Sequence, residues 1–124
     1  MKILICGSRN YENLKNIDDL LQRLIEDASP SELITIIIGD AVGVDARVRR
    51  YIDGFTMYIY KAAWRNADGS LNRRAGLQRN LEMLDERPNK VVAFWDGESP
   101  GTRMIIETAL KRRINVEVIF DWTT

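Results

Sequence analysis

Three glycine-bearing loops hold most of the side chains in this sequence that are equipped for chemistry, and each follows directly on a run of apolar residues. Gly7-Ser8-Arg9 follows Ile3-Leu4-Ile5-Cys6, and Gly39-Asp40-Ala41-Val42-Gly43-Val44-Asp45 follows Ile34-Thr35-Ile36-Ile37-Ile38. The third loop, Asp96-Gly97-Glu98-Ser99-Pro100-Gly101-Thr102, follows Val91-Val92-Ala93-Phe94-Trp95. A parallel α/β sheet builds binding sites in this way, placing such loops at its carboxyl edge, where helix N-termini offer backbone N–H groups to anions. The repetition points to a small molecule bearing phosphate.

Each loop offers a different group. Gly7 permits a tight turn, Ser8 is placed to cap the following segment or bond a phosphate oxygen, and Arg9 presents a planar fork for phosphate or carboxylate. The same three residues also read as a plain turn with a surface arginine. They match neither the G-x-G-x-x-G dinucleotide fingerprint nor the G-x-x-x-x-G-K-[ST] phosphate loop. In the second loop, Asp40 stands just beyond the strand end, where a carboxylate accepts from ribose hydroxyls. Asp45 is satisfied by a helix N-terminus without any ligand. Ser99, Gly101 and Thr102 open a helix in the third loop, a setting that suits phosphate. Trp64 and Trp95 offer rings for stacking on a base, although an indole at a strand end also simply covers the sheet edge. Arg79-Asn80 falls in the first half of a helix, on the side the loops approach. Arg47, Arg49, Arg50 and Lys111-Arg112-Arg113 read as solvated helix faces and helix C-terminal charges.

The elements that must position these groups follow from periodicity. Strands are expected at 2–6, 33–38, 55–60, 90–95 and 116–120, each apolar on consecutive positions, as when helices cover both faces. Between them run four helical stripes. The first is Leu14, Ile17, Leu20, Leu21, Leu24 and Ile25, stopping near Ser29-Pro30; the second is Val44, Val48, Tyr51 and Ile52, ending before Gly54. Leu77, Leu81 and Leu84 mark a third helix over about 73–86, and Thr102, Ile105, Ile106, Ala109 and Leu110 mark the fourth. The segment 61–72 is irregular, with Asp68-Gly69 as a turn signal. The result is a single domain over 1–124: a Rossmann-like three-layer α/β sandwich with a five-stranded parallel sheet in the order 3-2-1-4-5.

Composition narrows the chemistry. The 124 residues carry 18 Lys+Arg against 18 Asp+Glu, no histidine and one cysteine. Balanced charge argues against sequence-blind nucleic-acid binding as the main task. Without histidine there is no His-based triad or His general base, and the usual zinc sites are missing, so neither a metal nor a cofactor is expected. No signal-like or membrane-spanning apolar stretch is seen, and a cytoplasmic protein is expected.

The order of these motifs resembles the SLOG superfamily, and within it the small YspA/YpsA-related branch. The resemblance rests on Gly7-Ser8-Arg9-Asn10-Tyr11, the 39–45 loop, Ala63-Trp64, Gly76 through Leu84, and Phe94-Trp95-Asp96-Gly97 through Thr102, and it spans nearly the whole chain. It implies a Rossmann-like domain that senses or processes nucleotide-derived ligands. Relatives include cytokinin-activating phosphoribohydrolases, the DNA-processing protein DprA and sensors of ADP-ribose derivatives. The ligand-binding set expected on this basis is Gly7, Ser8, Arg9, Gly39, Asp40, Gly43, Asp45, Trp64, Arg79, Asn80, Asp96, Ser99, Gly101 and Thr102.

Two departures bear on function. The branch usually has a second glycine where this chain has Asp40. The phosphoribohydrolases pair an arginine in an R-K-x-x-M stretch with a glutamate three residues after the threonine of G-T-x-x-E. Here Arg79 and Met83 remain, but the residue three after Thr102 is Ile105, and Glu107, two positions later, is turned by roughly 200° on a helix. The expectation is therefore a module that binds a nucleotide or ADP-ribose-like molecule. The alternatives are an N-glycosidic hydrolase using Asp40, Asp45, Asp96 or Glu98, and a single-stranded DNA-binding module. A homodimer or dimer of dimers is expected, with the third helix and the Trp64 region near its interface, because four helices cover a five-stranded sheet incompletely.

Overall fold

Continuous apolar strands alternate with amphipathic helices, and that pattern permits only a sheet sandwiched between helical layers. The computed structural model of the protein describes residues 1–27, 33–50 and 56–122. Five strands, β1 (Lys2–Gly7), β2 (Thr35–Gly39), β3 (Thr56–Tyr60), β4 (Lys90–Trp95) and β5 (Asn115–Phe120), form one parallel sheet in the order β3-β2-β1-β4-β5. Four helices, α1 (Leu14–Asp27), α2 (Val44–Arg49), α3 (Ala75–Asp85) and α4 (Pro100–Lys111), connect them.

Alternation along the strands divides the core in two. Ile3, Ile5, Ile36, Ile38, Val92 and Phe94 face α1 and α2, meeting Ile17, Leu20, Leu21, Val44 and Val48. Leu4, Cys6, Ile37, Val91 and Ala93 face α3 and α4, meeting Met83, Leu84, Ile105 and Ala109. Register carries this division across the sheet: Leu4 pairs with Ile37 and Val91, and Cys6 with Ala93. Among the described residues no helix is long and apolar enough to cross a membrane.

Several expected boundaries move. β2 runs Thr35–Gly39 rather than 33–38, with Gly39 paired to Tyr60 as its last rung and Leu33 exposed. The expected contributions of Ser29-Pro30, Tyr51, Ile52, Gly54 and Phe55 lie outside the described residues. α3 buries Ala75, Asn80, Met83 and Leu84, whereas Leu77 is exposed. Leu77 lines a cleft instead of the core. Leu110 is likewise exposed, and Ile114, after the helix, packs on the core instead. The 61–72 segment carries a small hairpin: Arg65 and Leu71 pair antiparallel, and Asn72 N–H donates to the Trp64 carbonyl (2.7 Å).

Candidate functional site

The strand order reverses between β1 and β4, so the connections leaving these strands diverge and open a cleft at the carboxyl edge on the α3/α4 side. Its volume is about 790 Å³. The loop after β1 contributes Gly7, Ser8, Arg9 and Asn10; the loop after β2 contributes Asp40, Ala41, Val42 and Asp45; α3 and its approach contribute Arg73, Gly76, Leu77, Arg79 and Asn80. Ser99, Pro100, Gly101 and Thr102 line it from the start of α4, Trp64 from the hairpin, and Cys6, Met83, Met104 and Ile105 complete it.

Most of the residues singled out in the sequence are therefore brought together, while Gly39, Gly43 and Asp96 stand behind the lining. A side chain at Gly39 would place its Cβ 2.7 Å from Asp45 Oδ2 and 3.2 Å from Arg79 Nε. Gly43 adopts φ 76°, and a Cβ there would lie 2.6 Å from the Arg9 carbonyl oxygen. This close approach locks the first loop onto the second. Asp96 orders the third loop, accepting from the N–H groups of Glu98 (2.9 Å) and Ser99 (2.8 Å) and from Ser99 Oγ (3.0 Å). Burial opposes its ionisation, yet these donors hold its carboxyl below the usual range. Its own N–H donates to Ser8 Oγ (3.2 Å), so the buried Ser8 hydroxyl ties the first loop to the third.

The mouth of α4 is open. Among the described residues no side chain caps this helix and the N–H groups of Gly101 and Thr102, in its first turn, have no partner, while Pro100 has no N–H. Thr102 is 5% exposed, and its hydroxyl makes no hydrogen bond among the described residues. Arg9 and Arg73 line the cleft without a carboxylate partner among the described residues.

No family model matches the chain. It is 30% identical over 122 residues to the Gene 61 protein of Mycobacterium phage D29, with 93% of each chain covered. The chain belongs to the Gene 61 protein family. That name states no activity, and the chemistry open to this family member rests on the charges in its cleft.

Arg79 organises those charges. Its Nη1 donates to Asp40 Oδ1 at 2.7 Å, while Nε and Nη2 reach Asn80 Oδ1 only at 3.4 Å. Asp40 also accepts from the Ala62 N–H. Burial works against its ionisation, but Arg79 and Ala62 together hold its carboxyl below the usual range. The residue that replaces a glycine in the resembling branch thus bolts the second loop to α3 through Oδ1, while its side chain stays 28% exposed in the cleft. Asp45 is 5% exposed and accepts from the Ala41 N–H (3.2 Å). Burial pushes its pKa up to about 6 against the opposing pull of Arg79 and Arg49.

Sequence reasoning missed Arg49, which reads as part of a solvated face. Its Nη1 donates to the carbonyls of Gly39 (2.8 Å) and Ala41 (3.0 Å), bracing the second loop. No periodicity signals this, because the contact runs from a six-residue helix back to the loop before it. Arg73 was also missed, although its place just before α3 was a signal. Trp95 lies outside the cleft: its indole N–H donates to the Ser99 carbonyl (3.1 Å) and its ring packs on Phe120, so it covers the sheet edge. Ile105 lines the cleft where the resembling hydrolases carry glutamate, and Glu107 is exposed outside it.

Proposed function

We propose that this protein binds a nucleotide-derived, phosphate-bearing small molecule, a nucleotide or an ADP-ribose-like compound, in the carboxyl-edge cleft, as a sensing or sequestering module of the SLOG type. The observation that carries this reading is the α4 mouth. There the Thr102 hydroxyl, two backbone N–H groups of the first turn and the Arg9 guanidinium, all without a partner among the described residues, line one cavity. A phosphate meets all of these needs, because its oxygens accept from hydroxyl, N–H and guanidinium together and its charge suits the helix N-terminus.

On the α3 side, the Trp64 ring lies over Gly76, where a Cβ would sit 3.4 Å from it, and the indole remains 42% exposed. It offers a flat apolar face to a base, and the cleft's volume falls within the usual range for small-molecule sites. Binding is favoured over N-glycosidic hydrolysis because Ile105 supplies no carboxylate and Asp40 is committed to Arg79. Exposed Trp64, Leu71 and Leu77 cluster around α3, and we place the interface of a two-fold dimer there.

Native mass spectrometry of protein purified from cells is expected to show a retained nucleotide-sized mass, and calorimetry is expected to detect ADP-ribose or AMP. Failure of both ligands to bind overturns the reading. After prolonged incubation both are expected back intact. Base release that disappears in Asp40→Asn or Glu98→Gln protein would instead make this an enzyme.

A further inference from the structure

We propose that ligand binding in this cleft is proton-linked, with Asp45 taking up one proton from solvent when an anion occupies the site. The inference rests on the binding function proposed above and adds the device that makes it respond to pH. Asp45 Oδ2 and Arg79 Nε both lie within 3.2 Å of the point a Gly39 Cβ would occupy, and on the other side Arg79 is bonded to Asp40. One cation is thus ion-paired with Asp40 and acts through space on Asp45.

The charged and titratable groups that act on Asp45 come from four places in the fold. Arg79 reaches it from α3, Arg49 from α2, Asp40 from the end of β2 and the Cys6 thiol from β1. Arg49 Nη1 is already bonded to the carbonyls of Gly39 and Ala41. Burial, reinforced by Asp45, pushes the Cys6 thiol far up, so it stays neutral. Arg79 is therefore the cation whose commitment a ligand can change. Among the described residues its Nε and Nη2 each make one long contact to Asn80 Oδ1 (3.4 Å), a weak hold that a phosphate entering the cleft Arg79 lines would displace.

When a phosphate displaces that contact, it adds negative charge beside Asp45 and draws on the cation that kept Asp45 ionised. A carboxylate with a new like charge and a weakened counter-charge binds a proton. The proton enters from solvent and adds to a carboxylate oxygen, and no bond is broken. The direction already present in the free protein, a carboxyl raised to about 6, leaves little further shift needed near neutrality.

ADP-ribose is the suitable probe, because its pyrophosphate bridge carries no proton that titrates near neutral pH, whereas the phosphate of AMP titrates near pH 6. Calorimetry at about pH 6.5 in two buffers of different ionisation enthalpy counts the protons exchanged. The expected result is uptake of a clear fraction of a proton per ADP-ribose, with affinity falling by up to about tenfold per pH unit above about pH 6. In Asp45→Asn the uptake is expected to vanish and the affinity at about pH 8 to equal or exceed that of the native protein, an outcome a merely structural aspartate would not produce. ADP-ribose binding with no buffer dependence overturns the proton linkage and leaves the binding function standing; absence of ADP-ribose binding overturns both. The native protein decides between these outcomes even if the variant does not fold.

Discussion

Arg9 and Arg79 have the same side chain and opposite commitments, and their variants should behave oppositely. Arg9 has no partner among the described residues, so Arg9→Ala is expected to leave the melting temperature unchanged while weakening ADP-ribose binding by about 1.5 to 3 kcal/mol, the worth of a charge-assisted contact. Unchanged affinity in a calorimetric titration would remove Arg9 from the site. Arg79 is only 12% exposed and holds Asp40. Arg79→Ala should cost about 2 to 3 kcal/mol of stability at neutral pH, because two neighbouring carboxylates lose their shared cation. The cost should shrink towards pH 5, where Asp45 is neutral. Asp45 also has a signature of its own. Its pKa is raised from 3.8 to about 6 in the folded protein, so the folded state binds the proton more tightly than the unfolded chain. Stability is therefore favoured below pH 4 and lost as pH rises towards 6. At about 1.4 kcal/mol per pH unit the loss comes to about 3 kcal/mol. Urea unfolding of native and Asp45→Asn protein should show this slope in the difference between them, and parallel curves would contradict the assignment.

At the scale of elements, two loop glycines separate folding from binding. Gly43 combines φ 76° with the close approach of the Arg9 backbone. Gly43→Ala is therefore expected to cost about 1 to 3 kcal/mol and to displace the first loop, lowering stability and affinity together. Gly101, in the first turn of α4, has open space where a Cβ would stand, with nothing within 4 Å. Gly101→Ala should raise stability by up to about 1 kcal/mol, since alanine restricts the unfolded chain. The same methyl group stands at the α4 mouth and should weaken ADP-ribose binding. A variant that gains stability with full affinity would move the anion away from this helix.

For the whole molecule, the decisive surface is the one left apolar and uncovered. Trp64, Leu71 and Leu77 are exposed around α3, and the edge strand β3 exposes Tyr58 and Ile59. Self-association through α3 and the hairpin is expected to give a light-scattering mass at least twice 14.3 kDa at micromolar concentration. Leu71→Glu should reduce that mass towards the monomer, and a clean native monomer would remove the dimer. Such an interface would set Trp64 beside a second copy, so dimer-disrupting substitutions should also alter ligand affinity.

The strands, their parallel order and the two-sided core were legible from the chain, because continuous apolar runs separated by helical stripes fit few other arrangements. β4 matches its expected bounds, and the three glycine loops do meet at one edge. That edge follows from topology, since every right-handed crossover returns its helix N-terminus to the same side. What side chains do there was decided by tertiary structure. Asp40 and Arg79 are 39 positions apart, and no local pattern announces that they pair. Arg49 turns back to a loop, Leu77 faces a cleft rather than the sheet, and Trp95 packs on Phe120. Asp45 reads in the sequence as an ordinary helix-start carboxylate; burial beneath the second loop changes its proton affinity. Sequence period reports which face of an element is apolar, whereas pairing, desolvation and the direction of a long side chain depend on neighbours that only folding supplies.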